Sequence, residues 1–139
     1  MKMEEMSEKK KVLVVDDEEK FGKMVQKNLE KTGRFEVKYE TKGANALDQV
    51  RAYRPDIVLL DVLMPDMRGP EVAFKIREDE KLAKTKIIFV TATIKKGLNE
   101  GFGGLVGGRP FTIKPVVSKP VTTKDLMSAI DVELNQKAA

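Results

Sequence analysis

Residues 55–69 read PDIVLLDVLMPDMRG, and this stretch contains the clearest indication of the fold. Its first part, 56–60, ends in four consecutive apolar residues, which is typical of a parallel strand covered on both faces. Asp61 follows this strand directly, and the Pro and Gly of MPDMRG then predict a turn. Residues 70–80 predict a helix after the turn. The stretch therefore predicts a strand, a turn and a helix, with one carboxylate at the end of the strand.

The same alternation of strand and helix extends to both sides of this stretch. Short runs rich in β-branched residues predict further strands, and patterns with a helical period predict helices between them. We expect strands at 11–15, 35–40, 56–60 and 86–90, a fifth strand before a Lys-Pro pair, and helices at 18–32, 44–53, 70–80 and 122–136, the last with Thr122 or Thr123 as N-cap. This order predicts an α/β fold with a doubly wound, five-stranded parallel sheet and helices on both faces.

The alternating pattern fails between residues 97 and 110. This segment holds six of the ten glycines of the chain. Each Gly in the interior of a helix costs about 1 kcal/mol relative to Ala. We therefore expect the fourth helix, which would precede the fifth strand, to be short, irregular or missing.

Length and composition exclude several classes of function. The 139 residues suffice for one domain, and we expect a flexible tail at 1–10, the domain at 11–136 and a second tail at 137–139. The absence of Cys and His removes thiol chemistry and imidazole bases. A scattered net charge of +4 and few aromatic residues argue against direct nucleic-acid binding. We find no apolar run of about 20 residues and no signal peptide, so we expect no membrane span and a cytoplasmic location.

Acidic and hydroxyl side chains follow the predicted strands at the edge where ligands of such sheets bind. Asp16 and Asp17 follow the first strand, Asp61 the third, Thr91 the fourth and a Lys the fifth. Two carboxylates about 5 Å apart repel each other by about 3 kcal/mol at an effective dielectric constant of about 20. Such a cluster needs a cation or raised pKa values, and oxygen ligands predict Mg²⁺ or Mn²⁺. The alternative is that the acidic pair only favours the dipole of a helix that begins there.

Four motifs resemble the receiver domain of bacterial two-component response regulators. They are VLVVDDEE at 12–19, PDIVLLDVLMPDMRG at 55–69, IIFVTA at 87–92 and a Lys-Pro pair near the C-terminal end. The resemblance covers about residues 10–136 and implies the flavodoxin-like strand order 2-1-3-4-5. It implies a phosphorylation-dependent signalling switch that catalyses only its own phosphoryl transfer and dephosphorylation. The implied partners are a sensor histidine kinase and an unknown downstream protein, and a phosphorylation-dependent homodimer is compatible with the family.

The resemblance also implies roles for individual residues. Asp61 would be the phosphoacceptor. Asp17, Asp61 and the main-chain carbonyl of Leu63 would bind Mg²⁺ directly, and Asp16 would bind it through water. Thr91 would donate its hydroxyl to a phosphoryl oxygen and would move on phosphorylation. Gly69 would shape the turn after Asp61 through a backbone conformation that is closed to most other residues.

The chain offers two candidates for the family's phosphate-binding lysine, since residues 113–120 read IKPVVSKP. The distance in sequence from Thr91 favours Lys114, which would make Phe111 the switch aromatic. The stretch GGRPFTIKPV at 107–116 also resembles a receiver subgroup with a Gly-rich fourth helix. The spacing to the last helix favours Lys119 instead, because the VVS before it makes a good short strand. We prefer Lys114 from the sequence and keep Lys119 as the alternative.

Three other functions remain open from the sequence. A haloacid dehalogenase-like phosphatase also uses an Asp after a parallel strand, but it needs a second Asp two residues later, where this chain has Leu63. A flavodoxin-like cofactor carrier needs a phosphate-binding loop after the first strand, where the DDEEK segment would repel phosphate. A degenerate receiver that only binds partners would not need the complete set of acids.

Overall fold

The computed structural model of the chain describes residues 9–91, 102–106, 109–113 and 116–135. In chain order the elements are β1 Lys10–Val15, α1 Glu19–Glu30, β2 Phe35–Glu40, α2 Gly43–Tyr53, β3 Ile57–Leu60, α3 Gly69–Glu78, β4 Lys86–Thr91, β5 Phe102–Val106, β6 Arg109–Ile113, β7 Val116–Ser118 and α4 Thr123–Asn135. Across these ranges, none of the helices is long and apolar enough to cross a membrane.

Five of the strands form one parallel sheet in the order β2-β1-β3-β4-β7. Counting only these five strands, the order is 2-1-3-4-5, so the predicted fold class is confirmed. From β1 the chain runs to the edge strand β2 and then crosses back past β1 to β3. The order of strands therefore reverses between β1 and β3, and the ends of these two strands lie at the reversal. The register pairs Val15 with Leu60, so both strands end at the same level of the sheet.

Alternate residues of the central strands point to two separate apolar cores, one on each face of the sheet. One core packs residues such as Leu13, Leu60 and Phe89 against α2 and α3. The other packs residues such as Val14, Leu59 and Val90 against α1 and α4. The strands are therefore covered on both faces, which explains why the sequence of β3 is continuously apolar.

The Gly-rich segment forms an antiparallel hairpin in its described part. Strands β5 and β6 pair from Phe102 with Ile113 to Val106 with Arg109, and this pair forms a sheet of its own. The sequence predicted a weak fourth helix here but gave no indication of two strands. Residues 92–101 and 107–108, on which part of that prediction falls, lie outside the described residues.

The last helix begins at the predicted cap. The hydroxyl oxygen of Thr122 accepts a hydrogen bond from the backbone N–H of Asp125 at 3.0 Å, which makes Thr122 rather than Thr123 the N-cap. The helix brings Leu126 and Ile130 into the core beside α1. It therefore fixes the short segment between β7 and α4 next to the beginning of α1.

Candidate functional site

Three carboxylates meet where β1 and β3 end. The backbone N–H of Asp61 donates a hydrogen bond to the carbonyl of Val15 at 2.9 Å, so the residue after β3 lies beside the residues after β1. One carboxylate oxygen from each of Asp16, Asp17 and Asp61 lies within 4.8 Å of the others. Asp16 and Asp61 are buried, with 3% and 7% of their surfaces exposed, whereas Asp17 is exposed. The predicted convergence of the three acids is therefore present.

The electrostatic environment of this acidic cluster opposes negative charge. Burial, followed by the charge of Asp16, raises the pKa of Asp61 from 3.8 to about 6, although Lys119 and the Val62 N–H act in the opposite direction. Burial also raises the pKa of Asp16, despite its hydrogen bond to Lys119. The protein thus holds buried carboxylates whose ionised forms are disfavoured until positive charge is supplied.

Lys119 supplies part of this positive charge. Its ammonium nitrogen lies 2.5 Å from Asp16 Oδ2 and 3.3 Å from Glu18 Oε1, and its side chain is 11% exposed. The nitrogen also lies 4.3 Å from the centre of the Phe21 ring. Burial lowers the pKa of Lys119, but its bonds and charge interactions with the acids outweigh burial and raise that pKa overall.

The geometry favours Lys119 over the lysine that we preferred from the sequence. Strand β7 pairs Ser118 with Thr91, and the backbone N–H of Lys119 donates to the Thr91 carbonyl at 2.9 Å. This pairing places Lys119 at the carboxyl edge of the sheet, directly after the fifth parallel strand. Lys114 lies outside the described residues. Counting from Thr91 pointed to Lys114 because it did not allow for β5 and β6, which lie between β4 and β7 in the chain.

The predicted switch role of Phe111 depended on Lys114. Phe111 lies in β6 and pairs with Gly104 of β5, not with a strand of the parallel sheet. It therefore lies outside the five-stranded sheet, and its role as the switch aromatic stays a prediction. The position three residues before Lys119 holds Val116, the first residue of β7.

Thr91 occupies the predicted position at the end of β4. Its side chain is buried, with 1% of the residue exposed. The strand pairing places it one strand away from Asp61, since β4 lies between β3 and β7. The Thr91 hydroxyl therefore lies at the same edge of the sheet as the acidic cluster.

Hydrogen bonds from backbone N–H groups hold the turn after Asp61. Asp61 Oδ1 accepts a hydrogen bond from the Val62 N–H at 2.9 Å, and the Gly69 N–H donates to the Val62 carbonyl at 2.8 Å. A Cβ atom on Gly69 would lie 2.2 Å from the Asp61 carbonyl oxygen. The turn thus needs Gly for close approach rather than for an unusual backbone angle, since among the described glycines only Gly33 has a positive φ. That corrects the reason that we gave from the sequence.

Leu63 lies in the same turn, two residues after Asp61. The residue is 48% exposed. The role of its main-chain carbonyl as a metal ligand stays a prediction.

The sequence did not indicate the role of Asp66. Its carboxylate accepts hydrogen bonds from the backbone N–H groups of Gly43 and Ala44, at 3.2 and 2.9 Å. These groups begin α2, whose own N-cap residue, Lys42, makes no side-chain capping bond. A helix that begins without Ser, Thr, Asp or Asn at its cap was the available signal, because its first N–H groups need an acceptor from elsewhere. Asp66 therefore ties the turn after Asp61 to α2.

The donors in this cluster fit a hard divalent cation. All three candidate side chains offer carboxylate oxygens, which Mg²⁺ and Mn²⁺ prefer. The raised pKa values of Asp16 and Asp61 are the electrostatic signature of a cluster that a cation would stabilise. The chemistry of the residues is thus consistent with the predicted metal.

Comparisons with known proteins agree on one family. Residues 12–131 match the family model for the response regulator receiver domain. The polar-differentiation response regulator DivK of Brucella anthropi is 31% identical over 121 residues, which cover 87% of this chain and 93% of that protein.

Solved structures agree with this match. The chemotaxis response regulator CheY4 of Vibrio cholerae is 26% identical, with a TM-score of 0.73 over 89% of this chain and 98% of that one. A CheY-like receiver domain protein of Methanospirillum hungatei has a TM-score of 0.74 at 24% identity, over 91% and 94% of the two chains, and shows the same fold. This chain belongs to the response regulator receiver domain family.

Proposed function

We propose that this receiver accepts a phosphoryl group on Asp61 from the phosphohistidine of a sensor kinase, in a Mg²⁺-dependent reaction in the cytoplasm. Receiver domains are switches in two-component signalling rather than classical enzymes. The observation that carries the proposal is the convergence of Asp16, Asp17 and Asp61 within 4.8 Å, together with the ammonium group of Lys119 at the same edge.

The residues proposed to hold Mg²⁺ are Asp17, Asp61 and the main-chain carbonyl of Leu63, with Asp16 acting through water. Mn²⁺ would suit the same oxygen donors. When bound, the ion would neutralise charge on the carboxylates and on the transferred phosphoryl group.

The proposed transfer uses Asp61 as the nucleophile. A carboxylate oxygen of Asp61 forms a bond to phosphorus while the bond from phosphorus to the imidazole nitrogen of the kinase breaks, and the imidazole leaves with the electron pair. The hydrogen bond from Val62 N–H orients the carboxylate. Lys119 pairs with a phosphoryl oxygen, and the Thr91 hydroxyl donates to another.

Phosphorylation would change the charge at this edge of the sheet. The phosphoryl group of an acyl phosphate carries about two negative charges in place of the single charge of the carboxylate, and Lys119 and Thr91 respond to them from the neighbouring ends of β7 and β4. We propose that this response changes a surface that binds a downstream protein or a second copy of the chain.

Labelling with a small phosphodonor tests this function. We expect radioactive acetyl phosphate to label the parent protein in the presence of Mg²⁺ and not in the presence of a chelator. Asp61→Asn should not be labelled, because an amide is not a nucleophile for this reaction. Asp48→Asn is the matched control, since its exposed carboxylate pairs with Arg51 on the surface of α2. Equal labelling of Asp61→Asn and the parent, or no labelling of the parent, would contradict the proposal.

A further inference from the structure

Lys119 is hydrogen-bonded to two carboxylates at the edge of the site, and the outer one has no role in the proposed function. The inner partner is Asp16, at 2.5 Å, and the outer partner is Glu18, at 3.3 Å. The Glu18 side chain is 67% exposed, so it lies at the rim of the site. The Phe21 ring, 4.3 Å away, contacts the ammonium group from α1.

The backbone fixes Glu18 in a position that leaves its side chain available for this contact. Glu18 is the N-cap residue of α1, yet its side chain makes no capping hydrogen bond. Its carbonyl accepts bonds from the N–H groups of Phe21 and Gly22. Its own N–H donates to Asp16 Oδ1 at 2.9 Å. Asp16 is thus held by Glu18 through one oxygen and by Lys119 through the other.

The ammonium group of Lys119 interacts with Asp61 through charge, whereas its hydrogen bonds go to Asp16 and Glu18. A phosphoryl group on Asp61 would need the same ammonium group. The contact with Glu18 therefore competes with the contact that the transferred group requires.

We propose that Glu18 is a positioning residue that holds Lys119 at the rim of the site before phosphorylation and so slows the reaction of Asp61. The inference rests on the proposed phosphoryl transfer, because it assigns a function to the resting position of Lys119. Glu18 does not touch the reacting atoms. It acts by stabilising the lysine in a position that the lysine must leave.

Two substitutions separate this contact from a simple effect of charge. Glu18→Gln removes the negative charge and keeps the length of the side chain. Glu18→Asp keeps the charge but shortens the side chain by one methylene, and an Asp at an N-cap bonds to the backbone N–H groups of its own helix. Both substitutions should remove the outer contact of Lys119 and leave its contact with Asp16, so that the lysine moves more easily towards Asp61. A pure charge effect would appear in Glu18→Gln alone.

The matched control is Glu19→Gln, one residue further along α1. It makes the same change in net charge, and Glu19 pairs with Lys23 at 3.2 Å on the exposed surface of the helix. It should therefore report how much the rate responds to a lost negative charge that does not contact Lys119.

The first measurement is the rate of labelling by acetyl phosphate at low donor concentration. An exposed ion pair is weak, so we expect both Glu18 variants to react about two- to fivefold faster than the parent. Glu19→Gln should react at the parental rate. A parental rate for Glu18→Asp, or equal rates for Glu18→Gln and Glu19→Gln, would overturn the inference. Thermal unfolding checks that each variant is folded.

A second measurement needs no phosphodonor and keeps the two proposals apart. The ¹⁵N resonance of the Lys119 ammonium group should shift in Glu18→Gln and Glu18→Asp and stay unchanged in Glu19→Gln. Unchanged resonances in all three variants would overturn the inference even if Asp61 is labelled normally. Shifted resonances in a protein that acetyl phosphate does not label would instead contradict the proposed function and leave the contact intact.

Discussion

Asp61 is buried next to two other acids, and burial and their charge raise its pKa to about 6. This raised pKa makes the free energy of unfolding depend on pH. Between its ordinary pKa of 3.8 and about 6, the folded protein binds more protons at this group than the unfolded chain does. The free energy of unfolding therefore falls as the pH rises through this window. The resulting destabilisation is absent below the window and complete above it.

Asp61→Asn should remove this destabilisation. Without divalent cations, we expect the variant to have a higher Tm than the parent above pH 6, and the difference should shrink as the pH falls through the window. Asp48→Asn, whose Tm should follow that of the parent, is the control. A difference in Tm between Asp61→Asn and the parent that does not vary with pH would contradict this explanation.

The two candidate lysines lead to opposite predictions for their alanine substitutions. Lys119→Ala removes the cation that lies 2.5 Å from Asp16, so phosphorylation should no longer change the conformation of the protein. Lys114→Ala should retain that change. Chemical shifts of the backbone amides, recorded before and after addition of acetyl phosphate, measure the response of each variant. Retention of the response in Lys119→Ala would contradict the assignment of Lys119, and its loss in Lys114→Ala as well would restore our preference from the sequence.

At the scale of elements, the turn between β3 and α3 depends on one glycine. A Cβ atom at position 69 would collide with the Asp61 carbonyl oxygen, and that oxygen belongs to the backbone and cannot rotate away. We expect Gly69→Ala to lower the free energy of unfolding by on the order of 2 to 3 kcal/mol. It should also lower the rate of labelling, because relief of the clash moves Asp61.

Gly33→Ala is the control for this prediction. Gly33 has a φ of 77° but no atom within 4 Å of the position of an added Cβ. Its replacement should cost about 1 kcal/mol of backbone strain and leave the rate of labelling unchanged. Chemical denaturation and acetyl phosphate labelling measure both effects. Normal labelling of Gly69→Ala would show that the turn tolerates a side chain.

The sequence predicted the elements that follow local rules and missed those that depend on distant contacts. The continuous apolar run at 57–60 predicted β3, and Thr122 marked the beginning of α4. The hairpin of β5 and β6 was missed because glycines indicate only that a helix is weak, not what replaces it. Asp66 was missed because it caps a helix that begins 23 residues earlier in the chain.

At the scale of the whole molecule, the parallel register explains why the acidic cluster was predictable. Strands that end at the same level bring the residues after them together, so the ends of β1 and β3 predicted the meeting of Asp16, Asp17 and Asp61. The choice of lysine was not predictable in this way. It depends on which of two Lys-Pro pairs follows the strand that joins β4, and the pairing of β7 with β4 favours Lys119.

The acidic cluster should also couple metal binding to global stability. A ligand that binds only the folded state at a hundred times its Kd stabilises that state by about 2.7 kcal/mol. We therefore expect Mg²⁺ to raise the Tm of the parent, to raise that of Asp61→Asn much less and to raise that of Asp48→Asn as much as in the parent. Equal increases in all three proteins would place the ion elsewhere.

The most direct test identifies the residue that carries the phosphoryl group. Borohydride reduces an acyl phosphate on an aspartate to the alcohol, which converts that residue to homoserine. After reaction with acetyl phosphate and Mg²⁺ and then with borohydride, peptide mass spectrometry should find homoserine at position 61, and only after phosphorylation. Homoserine at position 16 or 17, or no homoserine in a labelled protein, would contradict the claim that Asp61 is the phosphoacceptor.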